Sequence, residues 1–154
     1  MEVKFILNSQ REKEVWLAVI GLAAHLEYLA VAILFLRDPS ESKDFASYER
    51  ALSLWQAAER LQHEGLLDAA IVKILQDVAN LRNSVAHRGA AAGVTLPGDD
   101  AERPRGYYKG SHIFGDDPGA FRTLVDDVNA ATEAMAVRFR ELQQPSRVKG
   151  RNQR

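Results

Sequence analysis

A chain of 154 residues with 20 basic and 21 acidic side chains, formally −1, is sized for one domain with a substantial core. So balanced a charge excludes gripping nucleic acid by bulk electrostatics, and any such contact must be local. There is no cysteine, which excludes disulfides, thiolate catalysis and Cys-based zinc sites; the N-terminus lacks the basic segment, apolar core and cleavage site of a signal peptide, so a reducing cytoplasm is expected.

Taken in chain order, Ser9-Gln10-Arg11-Glu12 has the form of a capping box and predicts a first helix from about Gln10 to Arg37, ended by Asp38-Pro39-Ser40. Residues 15–36 within it are interrupted only by His25 and Glu27 among groups that carry charge, and the stretch is long enough to span a bilayer. Both interruptions fall near its middle, where a charge is costly, and Gly, Ala and Tyr dilute its hydrophobicity. A central bundle helix, with no membrane contact, is the expectation. A second helix is predicted over 44–64, with Tyr48, Leu52, Trp55, Ala58 and Leu61 inward and Gly65 as its stop. A third is capped around Asp68 and released by Gly89, with Ile71, Ile74, Leu75, Val78, Leu81 and Val85 as its apolar stripe.

Residues 89–117 change character: Gly, Pro and Asp cluster and no helical stripe survives. Two short extended pieces fit at 93–96 and 107–109. So long a loop is usually functional or mobile, and its departure from the third helix would let it cover a site there. Asp117-Pro118 then opens a last helix, Asp as N-cap and Pro at the first position, with Phe121, Leu124, Val125, Val128, Ala131, Met135 and Phe139 as its apolar face. After Pro145 the chain carries Arg147, Lys149, Arg151 and Arg154 without an acid, and a disordered basic tail is expected over 145–154. The predicted fold is all-α: one domain over 1–144, an up-and-down bundle of four to five helices with a long Gly/Pro-rich loop before the last.

The third helix closes on Arg82-Asn83-Ser84-Val85-Ala86-His87. A guanidinium and an imidazole that titrates near neutrality are the side chains needed to hold a phosphodiester and move a proton beside it. At ~100° per residue, Asn83 and His87 are about 40° apart and share a face, whereas Arg82 and His87 are about 140° apart. A single helix does not bring the two together. A second copy of the helix across a two-fold axis would supply the missing partner.

Leu81-Arg82-Asn83-Ser84-Val85-Ala86-His87 resembles the R-polar-x-x-x-H signature of the HEPN superfamily, helical domains of prokaryotic toxins and defence proteins and of some noncatalytic regulators. The likeness extends over roughly residues 11–142. It includes Glu27 in the apolar first helix and the run from Ser47 through Gly65-Leu66-Leu67 into the motif helix. The resemblance implies a homodimer in which two motifs face each other, cleaving RNA without metal or other cofactor. The chain departs from HEPN toxins paired with nucleotidyltransferase antitoxins, in which a Tyr follows the motif His; here Arg88-Gly89-Ala90-Ala91-Ala92 follows His87. A similar R-N-x-x-A-H ending occurs in mannitol-operon-repressor-like proteins, whose bundle regulates without cutting.

The roles expected are His87 as general base, Arg82 as stabiliser of phosphorane charge, and Asn83 as positioner of one or the other. The plainer alternative makes Arg82, His87 and Arg88 cations that favour a helix C-terminus. Glu27 is too costly to bury unpaired; it either pairs with Arg82, fixing the guanidinium, or steadies the bundle and reaches solvent. His25 reads as an ordinary interior or interface histidine, without carboxylates at ligand spacing, and no metal site is expected. In the loop, Tyr107, Tyr108, Lys109, Ser111 and His112 combine stacking faces with cations, as RNA-binding surfaces and inert loops both do. The expected function is a metal-independent endoribonuclease, a homodimer in a toxin or defence setting, with RNA and an antitoxin or other protein as partners. The alternative is a noncatalytic helical dimer acting as a regulator or binding module.

Overall fold

A computed structural model describes residues 10–38, 44–90 and 118–144, with side chains described over 14–38, 44–86 and 119–144. These residues form five helices and no strand: α1 Gln10–Arg37, α2 Phe45–Arg50, α3 Leu54–His63, α4 Ala69–Ala90 and α5 Pro118–Gln143. The all-α up-and-down bundle expected from the hydrophobic periodicity is the fold observed. The Ser9 capping box, the Pro39-Ser40 stop, the loop over 91–117 and the basic tail lie outside the described residues.

α1 is the helix that every other helix touches. Val19, Ala23, Leu26, Ala30, Ile33 and Leu34 are fully buried along it, alternating three and four residues apart and then closing into a continuous run. Leu34 and its neighbours bury all round because α2 closes over the C-terminal part of the helix. There Phe45 packs edge-on against Tyr28 and Phe35, and Tyr48 against Phe35, with ring centroids 5.3–5.8 Å apart.

The predicted second helix is two helices. Asp44 caps α2, its carboxylate accepting from Ser47 N at 2.7 Å, and the chain then breaks at Ala51-Leu52-Ser53. Ser53 restarts it with a capping box: Gln56 N donates to Ser53 Oγ at 3.2 Å, and Ser53 N donates to Gln56 Oε1 at 3.1 Å. The break resets the helical phase. Leu54, Ala57, Ala58 and Leu61 are the buried stripe of α3, and Trp55, expected inward, is 42% exposed.

α3 ends in a Schellman motif. Leu66 N donates to Leu61 O at 2.9 Å and Gly65 N to Gln62 O at 3.0 Å, with Gly65 at φ +67°. Leu61 and Leu66 both bury in the core beneath this turn. Asp68 caps α4 through Ile71 N at 3.0 Å, so α3 and α4 form a tight helical hairpin. The buried stripe of α4 is Val72, Leu75, Val78, Ala79, Leu81 and Val85, with Ile71 and Ile74 only partly buried, a small rotation from the expected face. The helix passes through Gly89 to Ala90, beyond its expected release. α5 begins at Pro118 as expected and buries Leu124, Val128, Ala131 and Met135, with Phe121 and Phe139 packed beside them. Arg138 Nε donates to Leu66 O at 2.8 Å, tying the C-terminal part of α5 to the α3–α4 turn and setting α4 and α5 antiparallel.

Candidate functional site

The last two turns of α4 are positioned by α1. Leu81 and Val85 are fully buried and fix the rotation of the helix. Trp16 Nε1 donates to the carbonyl of Val85 at 3.2 Å, a contact across 69 residues of sequence. A half-buried indole is best satisfied by one acceptor, and this one pins α4 within the segment that carries the motif. Sequence reasoning missed Trp16; the signal was its single donor in an apolar run.

Arg82 follows Leu81 and reaches α1. Its Nη1 donates to Glu27 Oε2 at 2.7 Å, with 27% of the Arg82 side chain and 23% of Glu27 exposed. Of the two roles open to Glu27, pairing with Arg82 is the geometry observed. The ion pair bridges α1 and α4 and satisfies the one acid in the middle of α1. It holds the guanidinium by one edge of its planar fork while leaving the side chain partly accessible.

Asn83 is exposed and Ser84 half-buried, and Ala86 is exposed one turn beyond Arg82. The backbone of His87 continues α4, one turn past Asn83. The side chains of His87 and Arg88, and all of Tyr107, Tyr108, Lys109, Ser111 and His112, lie outside the described residues. Of the candidate set, the structure therefore brings Arg82 and Glu27 together. Asn83 stands on a different, solvent-facing side of the same helix. His25, expected to be interior or at an interface, is exposed in the single chain.

One acid was not anticipated at all. Asp77 is buried to 7% exposure in the middle of α4, where Lys73 Nζ reaches its Oδ2 at 3.1 Å from one turn earlier. Among the described residues no group of three or more His, Cys, Asp or Glu is placed to hold a metal ion. The chemistry the described arrangement permits is anion recognition by the partly exposed Arg82 guanidinium, with Glu27 competing for it. No family model, no curated protein and no solved structure matches the chain.

Proposed function

We propose that the protein is a metal-independent endoribonuclease of the HEPN type, acting as a homodimer in a toxin or defence setting. The observation that supports it most is the contact of Arg82 Nη1 with Glu27 Oε2 at 2.7 Å. A cation used only to favour the helix dipole would need no partner 55 residues away. An acid in the α1 core helix that fixes the first residue of the R-polar-x-x-x-H string is what a pre-set phosphate-binding arginine requires.

In this reading His87 takes the proton of a ribose 2′-hydroxyl, whose oxygen forms a new bond to phosphorus. The bond to the 5′-oxygen breaks, and that oxygen leaves with a proton from water or from the second copy's imidazole. Arg82 stabilises the charge that grows on the non-bridging oxygens, and Asn83 orients His87 or the phosphate. The products are a 2′,3′-cyclic phosphate and a 5′-hydroxyl. Incubating the purified protein with RNA in chelator, and analysing the new ends, tests it.

A noncatalytic helical dimer that binds a protein or nucleic acid is the second reading. It is favoured by the same pair seen from the other side: Glu27 already occupies Arg82, so the contact also serves to lock α1 to α4. RNA that stays intact while the protein binds a partner would select it.

A further inference from the structure

Two side chains of α1 hold one turn of α4. Trp16 and Glu27 lie about three turns apart on α1, roughly 16 Å along its axis, yet the residues they hold, Val85 and Arg82, fall within a single turn. The two contacts differ in kind. Glu27 takes the far end of a long side chain, whereas Trp16 Nε1 donates to a main-chain oxygen, the carbonyl of Val85 at 3.2 Å. An arginine with several rotatable bonds can keep its carboxylate while the helix beneath it slides. A carbonyl moves only with its helix.

The Val85 oxygen does not need the indole. In a helix that runs to Ala90 it accepts from the N–H four residues on, at Gly89, and its second lone pair is the one left for Trp16. Leu81 and Val85 are fully buried, and their packing fixes which way α4 faces. Apolar packing is non-directional and constrains sliding along the axis less than a directional bond does. The indole bond supplies that constraint two residues before His87, a rise of about 3 Å.

We infer that Trp16 is a positioning residue for the end of α4, and that its N–H rather than its bulk sets the register of α4 against α1. The register matters because the two ends of the motif belong to different frames. The Arg82 guanidinium is held by Glu27 and so by α1, whereas His87 is carried by α4. The Trp16 bond is what joins these frames at the level of the motif. Trp16 touches neither substrate nor reacting atoms and acts through the Val85 peptide. Its catalytic consequence rests on the ribonuclease reading above, in which a guanidinium and an imidazole must meet one phosphodiester within about 0.5 Å of the productive geometry.

The test removes the N–H and keeps the shape. In the full-length protein Trp16 is replaced by 3-benzothienylalanine, which has sulfur where the indole has N–H, and in parallel by Phe as Trp16→Phe. Cleavage of a fluorogenic mixed-sequence RNA oligonucleotide in chelator should lose about 10-fold or more in kcat in both, with KM within about two-fold. Val72→Ala, a cavity in the first turns of α4, should lower stability and leave the kcat of the folded protein unchanged. Nuclear magnetic resonance reads the register without activity. The Trp16 indole N–H should exchange slowly beside that of Trp55, which is 42% exposed, and the NOE pattern between residues 82–86 and α1 should change in the benzothienyl protein.

With an active wild type, an unchanged kcat in the benzothienyl protein, or an equal loss in Val72→Ala, would overturn the inference and assign Trp16 to packing alone. A wild type that leaves the RNA intact would remove the ribonuclease reading by itself. The NOE pattern then decides the register: unchanged contacts at 82–86 overturn it, and displaced ones uphold it.

Discussion

Arg82 and Glu27 make separate demands on stability and on chemistry, and substitutions can part them. Arg82→Ala strands a largely covered carboxylate, and the pair's coupling in a double-mutant cycle with Glu27→Gln should be about 1 kcal/mol by urea unfolding. On RNA, Arg82→Ala should lose about two to three orders of magnitude, what one preorganised charge-stabilising donor contributes. Arg82→Lys should not restore it fully, because an ammonium cannot keep one edge on Glu27 while presenting another to phosphate. A stability defect without a matching loss of cleavage would assign the pair to bundle assembly alone.

Tyr48 carries a different residue-scale prediction. Its hydroxyl is buried without a well-formed hydrogen bond among the described residues, and burial raises its pKa above the ordinary phenol value, against the charge and polar influence of nearby Arg60. A raised folded-state pKa means that the neutral phenol's stabilisation is complete below about pH 10, the unfolded value, and is lost as pH rises through the folded one. Urea midpoints from pH 8 to 11 should therefore fall at the alkaline end for wild type and less for Tyr48→Phe. At neutral pH Tyr48→Phe should be neutral or slightly stabilising, since no well-formed bond is lost.

At the scale of elements, Ser53 decides where α3 begins. Ser53→Ala should cost about 1 kcal/mol by removing one half of the capping box, with a loss of helical signal confined to the α2–α3 region in hydrogen exchange. Gly65→Ala should cost a similar ~1 kcal/mol through φ +67° alone, since its Cβ would have room. Most helix boundaries were legible because their punctuation is local: Asp44, Asp68 and Pro118 start helices, and Gly65 stops one. The α2–α3 break was not, because Ala51-Leu52-Ser53 holds neither Gly nor Pro and the apolar spacing runs through it. The legible sign was the Ser53…Gln56 capping box, overridden by an unbroken hydrophobic pattern. Trp55 was misplaced for the same reason. On the candidate site, the sequence could pose the Arg82–Glu27 contact because a mid-helix acid needs a partner. The Trp16 contact with Val85 depends on how two helices cross, which no local spacing encodes.

For the molecule as a whole, α1 is the centre of the bundle, in contact with every other described helix. The homodimer of the proposed function should bury well over ~1,000 Å² in total. The central claim is that the end of α4 cuts RNA, and one comparison tests it most directly: cleavage of a mixed RNA in chelator by wild type and by His87→Ala, each confirmed folded. Wild type should produce 2′,3′-cyclic phosphate ends, and His87→Ala should be slower by about two to four orders of magnitude. Intact RNA with wild type, or cleavage unchanged in His87→Ala, would contradict the ribonuclease and leave the noncatalytic dimer.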